Sequence, residues 1–207
     1  MQPDYIIWKI TETEEELRSQ LLHPEYFADK VANLKPGSKR LLEILAVRRA
    51  MKELFYGEER EVLYTPEGAP YLAEGPYISI SHTMGYVAVI TDQRPVSIDI
   101  ERRGTKVQRV VSQFLKSEEL CILQLAADGE ADDAISSRYS LALHLAWSAK
   151  EVAYKLLGHD YYDLKQLTSV RLIDWQNRLL VLGVEGRELP LPIHFDFTDD
   201  YVLCWVE

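Results

Sequence analysis

The sequence predicts an α+β protein in which one arrangement of elements occurs twice. Short segments rich in Ile, Val, Trp and Tyr are separated by turn residues, and two long stretches carry apolar residues at helical spacing. Their order is strand, helix and strands, followed by helices and strands. The second series starts near residues 102–106. We therefore expect two halves, residues 1–101 and 102–207.

The first half is predicted to contain two helices among five strands. Thr13 precedes a run of glutamates and is expected to cap a helix through about Leu22. Ser38 is expected to cap the longer helix, residues 39–54, which ends at Gly57. Between the apolar positions of this longer helix lie the cations Lys39, Arg40, Arg48 and Arg49. The predicted strands are residues 4–10, 61–64, 77–81, 86–91 and 96–101.

The second half is predicted to be helical first and then β-rich. Two short helices and a polar loop at 128–133 lead to a long helix over residues 134–157, which stops at Gly158. Trp175-Gln176-Asn177 is expected to form a hairpin turn. The short helices are predicted at residues 107–114 and 117–127. The strands are predicted at residues 169–174, 178–184, 192–197 and 201–206.

Composition excludes several classes of protein. The 207 residues include 23 Lys and Arg against 33 Asp and Glu, a net charge of −10, which disfavours a general nucleic-acid binder. We expect no membrane span and no signal peptide, because the chain lacks the apolar runs that these need. Cys121 and Cys204 form no CxxC pair, so a disulfide framework or zinc cluster is not expected. These features favour a cytoplasmic protein.

Two acidic residues mark the end of the strand at 96–101. Because strand side chains alternate between faces, Asp99 and Glu101 share one face, and Ile98 and Ile100 share the other. Neighbouring carboxylates repel each other unless a cation offsets their charge. Mg²⁺ is one such cation, since it binds carboxylates together with substrate phosphates. Alternatively, the two acids simply point into water.

A third acid lies in the long helix of the second half. Trp147, Glu151 and Lys155 are four residues apart and so lie along one face of that helix. A Glu–Lys pair at this spacing is also common as a solvated surface pair. The sequence alone leaves both interpretations open.

A phosphate-binding candidate precedes the acidic strand. In Tyr77-Ile78-Ser79-Ile80-Ser81-His82-Thr83, hydroxyl, imidazole and backbone N–H groups are able to donate hydrogen bonds to phosphate oxygens. Arg40 and Arg49 could bind phosphate bidentately. The alternatives are a structural histidine and an exposed basic helix face.

In combination, these segments resemble the 4′-phosphopantetheinyl transferases, specifically the single-chain type that activates surfactin synthetase. The resemblance runs from about Lys39 to Gly158. It rests on Ser79-Ile80-Ser81-His82, Ser97-Ile98-Asp99-Ile100-Glu101 and Trp147-Ser148-Ala149-Lys150-Glu151, followed by Lys155.

The resemblance implies a pseudo-dimer of two similar α+β halves with coenzyme A in the cleft between them. It implies Mg²⁺ ligands at Asp99, Glu101 and Glu151. It also implies coenzyme A contacts from Arg40, Arg49, Ser81, His82 and Lys155. Phe114 and Glu119 match an F-x-x-x-x-E segment of the family, so Glu119 is a secondary candidate near the site.

The implied reaction is that of a holo-[acyl-carrier-protein] synthase. A carrier-protein serine attacks the β-phosphate of coenzyme A and releases 3′,5′-adenosine bisphosphate. Charge neutralisation and positioning dominate such reactions. Glu151 is the expected base, directly or through a water, and Lys155 is expected to stabilise the leaving group. We expect a monomer that acts in fatty acid biosynthesis or on a related carrier.

One departure from the family affects the substrate site. The family often has Gly-Lys-Pro before the serine-histidine strand, whereas this chain has Gly68-Ala69-Pro70. Lys39 or Arg40 could substitute for the missing lysine. The departure gives some support to an alternative, a pseudo-dimer that binds coenzyme A or a carrier without transfer. A two-metal phosphotransferase or nuclease is a remote third hypothesis.

The acidic net charge is unevenly distributed along the chain. Residues 102–116 contain no Asp or Glu and follow directly on the acidic strand. Carrier proteins are usually acidic around the modified serine. We therefore predict a docking surface at this stretch, with steering that weakens at high salt. Its residues are Arg102, Arg103, Lys106 and Arg109.

Overall fold

The computed structural model describes residues 4–127, 137–158 and 163–206. The strands are β1 (Asp4–Lys9), β2 (Leu63–Tyr64), β3 (Pro70–Tyr71), β4 (Tyr77–Thr83), β5 (Tyr86–Asp92), β6 (Ser97–Arg102), β7 (Thr168–Asp174), β8 (Leu179–Val184), β9 (Leu191–Phe197) and β10 (Tyr201–Val206). The helices are α1 (Glu14–Ser19), α2 (Ala28–Val31), α3 (Lys39–Leu54), α4 (Lys106–Phe114), α5 (Ser117–Ala126), α6 (Arg138–Leu157) and α7 (Leu164–Leu167), with a 3₁₀ turn at Pro24–Tyr26. The predicted loop at 128–133 and the start of the helix predicted from residue 134 lie outside the described residues.

The described chain is a mixed α and β protein that divides into two compact units. The first unit extends to Ile98 and the second runs from Asp99 to Val206. Each unit contains a helix packed on a β-sheet, with its own apolar core. The pseudo-dimer, the boundary at residues 101 and 102, and the active site between the halves stay predictions.

In the first unit, α3 packs on a three-stranded sheet with strand order β1-β5-β4. Leu41, Leu45 and Met51 of α3 join Val87 and Val89 of β5 in one buried cluster. The buried α3 residues recur at helical spacing, so α3 buries one face. Strand β5 lies in the middle of the sheet and is buried along almost its whole length. The predicted boundaries of α3 are confirmed.

Ser38 occupies the N-cap position of α3 as predicted, although its side chain makes no capping hydrogen bond. Arg48, one of the cations between the apolar positions of α3, is buried, with an exposure of only 6%. Thr13 does cap α1, in a reciprocal capping box with Glu16.

In the second unit, α6 lies against a five-stranded sheet with strand order β6-β10-β9-β8-β7. Leu145, Ala149 and Val152 of α6 are buried in the same cluster as Ile193 and Cys204 from the sheet. This burial fixes the rotation of α6 about its axis and thus the direction of its polar stripe. None of the described helices is long and apolar enough to cross a membrane.

The β-rich parts match the sequence prediction to within a few residues. The turn after β7 is confirmed, and Asp174 Oδ1 accepts hydrogen bonds from the backbone N–H groups of Gln176 and Asn177. The short elements β3 and α7 were not predicted, because two to four residues carry too little periodicity to be recognised.

Candidate active site

Strand β6 holds the two acids that the sequence singled out. Asp99 is 4% exposed and Glu101 is partly buried, whereas Ile98 and Ile100 are in the core. The alternative in which both acids point into water is therefore wrong for Asp99. Burial of a carboxylate in this way is unfavourable without compensating partners.

The partners come from the predicted stripe of α6. Trp147 donates a hydrogen bond from Nε1 to Glu101 Oε1 at 3.0 Å. Lys155 Nζ lies 2.7 Å from Asp99 Oδ1. Ser148 Oγ also donates to the backbone carbonyl of Asp99 at 3.3 Å. The stripe therefore faces β6, which contradicts the interpretation of Glu151 and Lys155 as a solvated surface pair.

The three carboxylates repel one another. Burial raises the pKa of Glu101 to about 7, and the charges of Asp99 and Glu151 contribute to this increase. Burial also raises the pKa of Glu151, with a further contribution from Asp99. A site with this excess of negative charge favours a bound cation or a proton.

The described residues include no group of three or more His, Cys, Asp or Glu side chains arranged to hold a metal ion. Lys155 and Trp147 instead engage Asp99 and Glu101. The donors themselves are chemically suited to Mg²⁺, which prefers carboxylate oxygens, and their mutual repulsion would be relieved by a divalent cation.

Glu119 lies in a different environment from these acids. Its Oε1 is 2.9 Å from Lys150 Nζ and accepts a hydrogen bond from Val170 N–H at 2.7 Å. Its Oε2 accepts from Lys116 N–H. Lys150 also donates to the carbonyl of Thr168. This buried pair links α5, α6 and β7, so Glu119 positions the helix that carries Glu151.

His144 is a site neighbour that the sequence did not indicate. Its Nε2 accepts a hydrogen bond from Gly104 N–H at 3.0 Å, and its Nδ1 lies 2.8 Å from the Ser140 carbonyl. The ring is therefore neutral, with its proton on Nδ1. Burial lowers the pKa of His144. The hydrogen bond fixes the turn after β6 to α6.

In the first unit, the structure brings together Arg40 and His82. Arg40 Nη1 lies 2.7 Å from His82 Nε2, and Glu43 Oε2 is 3.4 Å from His82 Nδ1. Ser81 is buried on the same strand, β4. Ser79 instead accepts a hydrogen bond from Ile98 N–H.

Arg49 has different surroundings from Arg40. Its guanidinium donates to Gln20 Oε1 at 2.7 Å and to Glu53 Oε2 at 2.8 Å, and it stacks on Trp8. A cavity of about 170 Å³ in the first unit is lined by Arg40, His82 and the buried Arg48. These positions do not favour a shared phosphate site for Arg40 and Arg49.

Among the predicted docking residues, Arg102, Lys106 and Arg109 are exposed. Arg103 differs from these three cations, because its side chain is only 8% exposed and donates a hydrogen bond to the Thr198 carbonyl. A cavity of about 260 Å³ is lined by Arg102 and Lys106 as well as by Glu101. The exposed cations therefore adjoin the acidic cluster.

The acids, their partners and the adjoining basic surface define a candidate centre for reactions of phosphate groups. A family model described as the 4′-phosphopantetheinyl transferase superfamily matches residues 95–206, which is more than half of the chain. The chain belongs to this superfamily and is a transferase of the phosphopantetheinyl class. A comparison with curated protein sequences found no match.

Proposed function

We propose that this protein transfers the 4′-phosphopantetheine group from coenzyme A to a serine of an apo acyl or peptidyl carrier protein. It would act with Mg²⁺ as a holo-[acyl-carrier-protein] synthase of the surfactin-synthetase-activating type. The observation that carries the proposal is the mutual electrostatic effect of Asp99, Glu101 and Glu151, together with the contact between Lys155 and Asp99, within the segment that matches the family.

The carboxylates of Asp99, Glu101 and Glu151 would hold the Mg²⁺. When bound, the ion would neutralise charge on the pyrophosphate of coenzyme A. Lys155 would add a positive charge near the bridging oxygen that leaves with 3′,5′-adenosine bisphosphate. Arg40, Ser81 and His82, and Arg49 if its present contacts rearrange, would bind other parts of coenzyme A.

The carrier serine would attack the phosphorus that bears the pantetheine group. A bond forms between the serine oxygen and that phosphorus, and the bond to the bridging oxygen breaks. Glu151 would accept the serine proton, directly or through a water.

The exposed cations Arg102, Lys106 and Arg109 would bind the carrier. Arg102 and Lys106 also line the cavity of about 260 Å³ that Glu101 lines. A negatively charged carrier surface placed there would bring its serine close to the acidic cluster. Arg103 would support this surface by holding Thr198.

Intact-protein mass spectrometry tests the proposed function. The protein is incubated with coenzyme A and apo carriers from fatty-acid, polyketide and peptide synthesis, with Mg²⁺ or with EDTA. We expect at least one carrier to gain one phosphopantetheine group, only when Mg²⁺ is present. No mass gain on any carrier, together with measurable coenzyme A binding, would support the non-transferring alternative instead.

A further inference from the structure

One face of α6 makes successive contacts with β6 and with the turn that follows β6. Trp147 donates a hydrogen bond to Glu101 in β6. His144 lies three residues before Trp147 and therefore on the same face of the helix. Its Nε2 accepts a hydrogen bond from the N–H group of Gly104 at 3.0 Å. This row of contacts therefore continues past the acids of β6 into the turn at residues 103–105.

The turn at residues 103–105 connects two of the exposed cations. Arg102 is the last residue of β6, and Lys106 is the first residue of α4. Both side chains line the cavity of about 260 Å³ that Glu101 and His144 also line. The conformation of the turn consequently sets the position of Arg102 relative to Lys106, and of both cations relative to Glu101.

Hydrogen bonds hold this turn on two sides. On one side, Arg103 donates from its backbone N–H to the Asp200 carbonyl and from Nη1 to the Thr198 carbonyl. On the other side, the N–H group of Gly104 donates to α6. Thr105 occupies the N-cap position of α4, but its side chain makes no capping hydrogen bond. The hydrogen bond to α6 therefore fixes the chain directly before the first turn of α4.

His144 is suited to this purpose because hydrogen bonds engage both nitrogens of its ring. The residue is buried, with an exposure of 3%. Because Nε2 accepts from Gly104, the proton of the neutral ring is on Nδ1, which donates to the Ser140 carbonyl at 2.8 Å. One nitrogen thus fixes the ring to its own helix, and the other holds the turn. An apolar side chain of similar size would fill the same space without accepting the hydrogen bond from Gly104.

We propose that His144 is a positioning residue for the carrier protein. It holds the turn at residues 103–105 so that Arg102 and Lys106 meet the negatively charged surface around the carrier serine. The proposal rests on the proposed function for the identity of the partner. Because His144 is buried, it acts through these cations and not by contact with the carrier. Loss of its hydrogen bond should therefore raise KM for the carrier and leave KM for coenzyme A unchanged.

Two amide substitutions at position 144 separate the hydrogen bond from the burial of a polar group. Glutamine is long enough to place an amide oxygen near the position of Nε2, whereas asparagine, one methylene shorter, reaches only the position of Nδ1. In steady-state kinetics we expect His144→Asn to raise KM for the carrier about fivefold or more and to change KM for coenzyme A less than about twofold. His144→Gln should keep KM for the carrier within about twofold of that of the unmodified protein.

A double-mutant comparison tests whether His144 acts through the cations. In the background Arg102→Met/Lys106→Met, the further substitution His144→Asn should change KM for the carrier less than about twofold. If His144→Asn does not fold, Gly104→Pro removes the donor instead and should raise KM for the carrier about fivefold or more. Gly104→Ala is its control, because it keeps the N–H group and its Cβ meets nothing within 4 Å. Equal carrier KM values for the two Gly104 variants would overturn the proposal.

Three kinetic results would also overturn the proposal: equal carrier KM values for His144→Asn and His144→Gln, a parallel rise in KM for coenzyme A, or the full effect of His144→Asn in the Met background. The hydrogen bond is tested without transfer by NMR, as a scalar coupling between the Gly104 amide nitrogen and His144 Nε2. We expect this coupling in the unmodified protein, and its absence would overturn the proposal. A lack of carrier modification by the unmodified protein would instead overturn the proposed function, and the role assigned to His144 with it.

Discussion

Glu101→Gln is expected to make the metal-free protein more stable while it removes activity. The pKa of Glu101 is raised from 4.5 to about 7, which corresponds to about 3 kcal/mol of unfavourable free energy when the folded protein ionises this carboxyl. Glutamine keeps an acceptor for Trp147 Nε1 and has no charge to repel Asp99 and Glu151. Because the folded protein adjusts around the charged carboxylate, the substitution recovers only part of this energy. We expect Glu101→Gln to raise the free energy of unfolding by about 1–3 kcal/mol at pH 8.

The stabilisation by Glu101→Gln should be larger at high pH than at low pH. Because the folded pKa is higher than the unfolded one, the folded state binds more protons between pH 4.5 and pH 7. The unmodified protein therefore loses stability as the pH rises through this range, and the loss is complete only above pH 7. At pH 5 the unmodified protein and Glu101→Gln should differ little.

Urea denaturation in EDTA at pH 5 and pH 8, followed by circular dichroism, measures this difference. Glu61→Gln makes the same chemical change at an exposed residue of the first unit and should not alter stability at either pH. Mg²⁺ should stabilise the unmodified protein more than Glu101→Gln. If Glu101→Gln is no more stable than the unmodified protein at pH 8, or is equally stabilised at both pH values, the three carboxylates do not destabilise the folded protein by repulsion.

Three further predictions follow from the second unit. Lys150→Met leaves Glu119 buried without its cation and should lower the free energy of unfolding by about 3–5 kcal/mol in urea. Charge reversal at both Arg102 and Lys106 should raise KM for the carrier roughly tenfold at low salt and leave KM for coenzyme A unchanged in steady-state kinetics. Burial lowers the pKa of His144, so protonation of this histidine is less favourable in the folded than in the unfolded state. In urea denaturation, the free energy of unfolding of the unmodified protein should therefore fall between pH 7 and pH 5 relative to that of His144→Gln.

Each of these predictions has a matched control or a contradicting result. A Lys150→Met variant as stable as the unmodified protein would show that the buried pair does not hold α6. Lys35→Glu reverses an exposed charge in the first unit and should not change KM for the carrier. A carrier KM that stays raised at high salt would contradict electrostatic docking. If the free energies of unfolding of the unmodified protein and of His144→Gln differ by the same amount at pH 7 and pH 5, protonation of His144 does not destabilise the folded state.

The sequence predicted the principal elements because their periodicity is strong. Apolar residues at helical spacing located α3, and alternation along β6 placed Asp99 and Glu101 on one face. The four-residue spacing of Trp147, Glu151 and Lys155 similarly placed them on one stripe. That this stripe faces β6 could not be read from spacing alone, since it depends on which side of α6 is buried against the sheet.

Burial of individual polar residues was the main property that the sequence did not reveal. Arg48 and Arg49 are adjacent and chemically identical, yet one is buried against a cavity and the other stacks on Trp8. Arg103 similarly belongs to a basic run but is held by the turn before β10. These differences arise from tertiary packing, for which local sequence carries no signal.

We propose that the acids of β6 and α6 form a Mg²⁺-dependent centre for phosphopantetheine transfer. The initial rate of carrier modification tests this centre in the unmodified protein, Glu151→Gln and Glu61→Gln, each measured across a Mg²⁺ titration by intact-protein mass spectrometry. We predict that Glu151→Gln loses at least a hundredfold in rate at every Mg²⁺ concentration, whereas Glu61→Gln matches the unmodified protein. A Glu151→Gln rate within a few fold of the unmodified protein would contradict a role of these acids in the transfer.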